Sequence, residues 1–429
     1  MSTAAALDIA SHRLDRRSAD QASRLLGAAG LFAIGLLGAV QIKIIGTISG
    51  TELALLAILP FTFVASRKLD RRVLLLLVPG AVWLWSQVVT DLARDSVFVD
   101  YSRGWAKIAF SLVNLAALWF LVGRRLERQL LLASGLAAAF VLRFALNRSE
   151  LAEGDPWKFG LAVPVTLGIT IVASTTFARR RWFLQPALLA SAALVNMMLG
   201  FRSLAGVCFL AAVLLTLRSK KAGGFRLTPT ALVVVAAASA IVFFVGYQRA
   251  AKDGLLGPAA AVKFEDQSRG TGGIFLAGRP ETYASALAIR DSPVVGHGSW
   301  PSDPRYRLAM VGELRSRGYL IYETFETDRI PTHSHLLGAW VEAGILGAVF
   351  WAAVLALCVS ALLAIYRSGT QYAALGSFLG FWLIWDVLFS PFGSDRRIIV
   401  PFSIVVLISA LRDARAWPDA GSASTGVSP

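Results

Sequence analysis

Residues 332–350 read THSHLLGAWVEAGILGAVF, and no charged residue follows from Gly344 to Tyr366. A run of that length, coiled as a helix, crosses about 30 Å of hydrocarbon, so this stretch sets the class as membrane protein. His333, His335 and Glu342 stand at its N-terminal mouth. An imidazole can take a proton from a hydroxyl near neutral pH, and a helix end anchored in lipid holds it rigidly. The remainder of the chain is expected to bring other groups to this mouth.

Composition agrees. Of 429 residues, 56% are hydrophobic and 16% charged, with a mean hydropathy of +0.61, the profile of an all-α integral membrane protein. Apolar runs recur from Leu26 to Leu411, and the count is about twelve transmembrane helices with one large extracytoplasmic loop. The formal net charge of +15 needs no nucleic acid to explain it, because Lys and Arg concentrate in the short loops expected inside. Cys208 and Cys358 lie in apolar runs and read as lipid-facing or packed thiols, neither a disulfide nor a metal site.

The expected organisation is a cytoplasmic tail over 1–25, nine helices over 26–247 and a loop over 248–332, then three helices over 333–411 and a cytoplasmic tail over 412–429. The first span is drawn from Leu26 to Ile44. The tail before it is basic and lacks the core and cleavage site of a signal peptide. With that tail inside, the inner loops are RKLDRR at 67–72, RRLER at 124–128, RRR at 179–181, the segment 218–226, Arg367, and 412–415. All are basic, as the positive-inside rule requires. Arg396 and Arg397 are the exception, since the count puts them outside beside Asp395.

The loop over 248–332 is long enough to be functional in its own right. Within it, GRPETYASALAIR (278–290) has helical spacing with Pro280 at the start, and SPVVGHGSW (292–300) is a turn with His297 between Gly296 and Gly298. Those two glycines would let backbone approach a substrate or a neighbouring helix. Arg and aromatic residues are dense from Arg305 to Tyr322. Between the seventh and eighth spans, MLGFRSLAG (198–206) leaves only Gly200 to Ser203 for a turn, so Arg202 is held at the outer rim. An arginine there must snorkel or find an anion.

Three motifs together resemble the O-antigen ligase and polymerase-like family: His333-Ser334 followed by Gly344-Ile345-Leu346-Gly347, Gly278-Arg279 with Pro293 to Gly298, and Phe201-Arg202-Ser203 opening a span. They cover Asn196 to Arg367. Two positions depart from the family pattern, with Phe201 where a serine is usual and Ser334 where asparagine is commoner. The resemblance implies a glycosyltransferase of the bacterial inner membrane, acting on the periplasmic face with inversion. Its donor would be a glycan on undecaprenyl diphosphate, and its acceptor a hydroxyl of the lipid A core or of a growing polysaccharide.

On that reading His333 is the base, and Arg202 and Arg279 are catalytic cations, because guanidinium forks onto phosphate oxygens without a metal. No cofactor is expected. His297, His335, Glu342, Arg305 and Tyr283 are candidates for substrate binding, with Glu342 paired to an arginine. Two other readings stay open: a polysaccharide polymerase of the same family, and a lipid-linked glycan flippase or transporter. Carriers usually show repeats and charges near the bilayer midplane, whereas the informative charges here lie at the rim.

Overall fold

The computed structural model describes residues 25–66, 69–123, 125–220, 227–268, 279–319, 328–393 and 395–416. The tails, the basic segment 221–226, Gly278 and Tyr322 lie outside the described residues. In chain order the helices are α1 (Leu25–Ala39), α2 (Gly50–Ser66), α3 (Arg71–Ala93), α4 (Phe98–Val122), α5 (Leu126–Leu146), α6 (Glu150–Gly154), α7 (Ala162–Ala173), α8 (Thr176–Arg179), α9 (Leu184–Met198) and α10 (Arg202–Lys220). They continue as α11 (Pro229–Lys252), α12 (Pro258–Ser268), α13 (Glu281–Asp291), α14 (Pro304–Ser316), α15 (His335–Ala343), α16 (Ile345–Arg367), α17 (Ala373–Phe389) and α18 (Arg396–Ala416).

Most of the apolar runs marked in the sequence are helical, and α3, α4, α5, α11 and α16 are long and apolar enough to cross a membrane. The first run is shorter than expected. Helix α1 ends at Ala39, and strand β1 (Gln41–Lys43) turns back to pair antiparallel with β2 (Thr47–Ser49). Large apolar side chains point outward along the bundle, among them Phe61 and Val64 on α2 and Ile241 and Val242 on α11. With no oil-like core to bury them, such residues need lipid, and the chain is a multi-pass membrane protein.

The centre of the bundle is α18. It packs on α4, α16 and α17, and its residues from Arg397 to Ala410 are buried without interruption. A helix apolar all round has no solvent or lipid face and must be enclosed. Around it, helices approach closely where side chains are small. A Cβ on Gly135 of α5 would stand 2.1 Å from the Phe32 carbonyl of α1, and one on Gly376 of α17 would stand 2.8 Å from Ile365 of α16. Cys208 and Cys358 are free thiols fully buried in this packing.

The charges that broke the sequence pattern each have a partner at one end of the bundle. Arg397 Nε lies 2.6 Å from Glu52, Arg396 Nε 3.0 Å from Asp386, and Arg143 Nη1 2.7 Å from Asp395. At the opposite end, Arg412 pairs with Asp70, Arg218 donates to the Ser368 and Thr370 carbonyls, and Thr370 donates to Asp413.

The membrane helix drawn from Gly344 to Tyr366 is α16, and the residues at its mouth form a separate short helix, α15. Gly344, at φ 69° and ψ −167°, separates α15 from α16, a conformation open essentially to glycine alone. The turn at 292–300 fills the break. His297 N donates to the Val341 carbonyl, Gly298 N to Glu342, and Ile345 N to Pro293. A Cβ on Gly296 would stand 2.5 Å from Gly344 N, and one on Gly344 would stand 1.8 Å from the Val294 carbonyl. Of the two uses expected for the loop glycines, close approach to a neighbouring helix is the one realised.

Candidate functional site

A polar cluster forms where α7, α10, α13 and α15 begin and α17 ends. Its construction starts at Asn196, whose side-chain amide donates to Thr166 Oγ1 (2.9 Å) while its oxygen accepts from Trp157 Nε1 (3.2 Å). The Asn196 carbonyl also accepts from Phe201 N (2.8 Å), closing the turn that Gly200 makes at φ 80°. One residue thus ties the start of α10, with Arg202, to the π-helical turn Trp157–Leu161 that carries Lys158. Arg202 lies over the ring of Tyr247, 5.3 Å from its centre, at the far end of α11.

Helix α13 supplies the next two groups. Pro280 caps it, Glu281 opens it, and Arg279 precedes it with its guanidinium 5.9 Å from the Trp385 ring centre of α17. Ser285, one turn after Glu281 and on the same face, donates to the Pro331 carbonyl (3.1 Å), which brings that face against the segment leading to His333. On the other side, Ser334 caps α15 by accepting from Leu337 N and donates to the Val387 carbonyl at 2.8 Å. The backbone is therefore pinned before and after His333.

His333 Nδ1 lies 3.4 Å from Glu281 Oε1, and 43% of the His333 side chain is exposed. The ring is partly buried and partly accessible to a ligand. Desolvation lowers the His333 pKa below its ordinary value; Glu281 opposes the shift, and Arg279 and Lys158 add to it. Arg279 in turn feels Glu281 and Arg202, and Lys158 feels Arg202 and Arg279. The second carboxylate oxygen of Glu281 is buried with no hydrogen-bond partner. Among the described residues the cluster thus holds three cations, Glu281 and an imidazole whose pKa is held below its ordinary value.

The three residues expected to be catalytic, Arg202, Arg279 and His333, fall within this one group. Lys158 and Glu281 were not foreseen. Lys158 sits in a mixed-charge loop with no motif around it, and Glu281 looked like an ordinary first-turn acid of a helix.

The five residues expected to bind substrate are engaged by the protein itself. His335 is 1% exposed, donates from Nδ1 to the Ser390 carbonyl (2.6 Å) and packs on Trp351 and Phe392. His297 donates from Nε2 to the Ala288 carbonyl (2.8 Å) and stands edge-on to Tyr306. Glu342 pairs with Lys107 of α4 at 2.6 Å, a lysine where an arginine was expected. Arg305 is exposed and bound to Asp303, and Tyr283 packs on the small core shared by α13, α14 and Val341. The three imidazoles stand in three separate surroundings.

Residues 186–352 match the O-antigen ligase family, a stretch that holds Arg202, Arg279, Glu281 and His333 but not Lys158 or Trp385. No curated protein and no solved structure matches the chain. The chain is a multi-pass membrane protein similar over residues 186–352 to the O-antigen ligase family.

Proposed function

We propose that the protein transfers a glycan from a polyprenyl diphosphate, undecaprenyl diphosphate in bacteria, to an acceptor hydroxyl of the lipid A core or of a growing polysaccharide. The observation that carries this reading is a chain of neighbours at the rim of the bundle: Lys158 and Arg279 act on the partly exposed His333 imidazole, and Arg202 acts on both of them. A leaving diphosphate develops charge that fixed cations stabilise most when they are already in place. Arg202 and Arg279 fork onto phosphate oxygens and Lys158 adds a point charge.

In the proposed step, His333 takes the proton as the acceptor oxygen bonds to the anomeric carbon, and the bond from that carbon to the diphosphate oxygen breaks with its electron pair. Attack and departure on opposite faces invert the centre. Glu281, beside Nδ1, orients the ring and offsets the imidazolium charge as it forms, leaving Nε2 for the acceptor. With three side-chain cations holding the phosphates, transfer is expected to survive EDTA.

The same arrangement supports a reading of membrane placement. The ends of helices that meet around His333 are those the charge alternation puts on one side, and Asp70, Arg218, Thr370 and Arg412 meet on the other. We read the first side as periplasmic, the second as the cytoplasmic side of the inner membrane, and both termini as cytoplasmic.

The test is transfer in proteoliposomes with lipid-linked donor and acceptor on the same side. His333→Ala should lower the rate by about 10²- to 10⁴-fold. A flippase would show no transfer at all, and that result would defeat the assignment. Product analysis then distinguishes ligase from polymerase by whether lipid A or glycan carries the new bond.

A further inference from the structure

At the end of the bundle opposite His333, the start of α3 and the end of α18 enclose an open depression of about 490 Å³ lined by Asp70, Arg71, Arg72, Leu75, Arg412 and Arg415. Four guanidinium charges face a single carboxylate, and that carboxylate is already used twice. Asp70 Oδ1 accepts from Arg72 N at 2.8 Å to cap α3, and Oδ2 binds Arg412. Arg412 and Arg415 both act electrostatically to repel the charge of Arg72. Among the described residues the depression has an excess of positive charge that an anion would relieve.

One wall is of a different kind. Leu75 is 62% exposed, and Val78, a turn further along α3, is 63% exposed, so an apolar track leads from the arginines up the lipid-facing side of α3. A free phosphate has no use for that track. An amphiphile with an anionic head and acyl chains matches both parts, because guanidinium takes phosphate oxygens bidentately while the chains lie along the leucine and valine.

We infer that this depression is a binding site for one anionic phospholipid, its phosphate held by Arg72 and Arg415 and its acyl chain lying over Leu75 and Val78. The site is independent of the transferase reading, because it uses none of the residues around His333.

The experiment uses the purified full chain and reads phospholipid retention by native mass spectrometry together with the thermal midpoint. Phosphatidylglycerol should be retained at one copy more per chain than phosphatidylcholine and should raise the midpoint by a few degrees. Both effects should be lost in Arg72→Gln/Arg415→Gln. Leu75→Asp, at an exposed position that leaves all four arginines in place, should also lose them, so the result does not depend on the double variant folding. Undiminished retention in the folded variants overturns the inference, as does inorganic phosphate alone reproducing the rise in midpoint.

Discussion

His333 Nδ1 faces Glu281 Oε1 across 3.4 Å, although Glu281 opens α13 and the whole of α14 lies between the two residues in sequence. The pairing makes a pH test possible. His333 works as a base only when neutral, so its contribution is present above its pKa and is lost as pH falls through it. That pKa is lowered by desolvation and raised by Glu281. Glu281→Gln removes the raising influence, so the acid limb of the pH–rate profile should move to lower pH as the rate falls. A profile that keeps its midpoint would mean that Glu281 does not act through the ring.

The cations predict the opposite shift. Arg279 and Lys158 both lower the His333 pKa, so Lys158→Ala should move the acid limb upward. Arg279→Ala should do the same and, as loss of a charge stabiliser, lower kcat by about 10²- to 10³-fold. Steady-state kinetics over pH 5 to 8 with a lipid-linked donor separates the two effects.

Lys107 and Glu342 form a buried pair, with 11% of each side chain exposed. Glu342→Ala strands an ammonium among helices, and about 3–5 kcal/mol of stability should be lost. Replacing both, as Lys107→Met/Glu342→Leu, should restore most of it. Unfolding of the three proteins in detergent gives the comparison, and a double variant no better than the single would show that Glu342 does more than neutralise Lys107.

Gly344→Ala should be far more damaging than Gly338→Ala on the preceding helix. The first puts a Cβ 1.8 Å from the Val294 carbonyl at a positive φ, while the second meets Thr332 Oγ1 at 3.4 Å. Strain of about 1–3 kcal/mol from the backbone alone, before the clash, should displace the turn at 292–300. Expression yield and thermal midpoint of the two variants are the measurement.

The helices were legible in the sequence because apolar runs bounded by arginines report lipid and water directly, as at Val73 to Thr90, which became α3. That Arg202, Arg279 and His333 belong together was an expectation of the family resemblance carried by their motifs, and the fold groups them at one end of the bundle. What stayed hidden depends on contacts between distant segments. Lys158 becomes part of the site only because Asn196 bridges Trp157 and the Gly200 turn. His335 looks like a partner of His333 in sequence, yet helix geometry turns it into an aromatic pocket. Gly344 reads as one more small residue in an apolar run, and its break shows only through the turn at 292–300 that needs the space.

Helix α18, sealed between α4, α16 and α17, follows seventeen others among the described residues in the order of synthesis. Its neighbours are made before it, and the slot they form around it in the folded protein has no final packing until it arrives. Arg396 and Arg397 enter one end of that slot as charges, and their carboxylate partners Asp386 and Glu52 wait there unpaired in the meantime. The last of the described helices to be made is thus the one that completes the interior of the bundle.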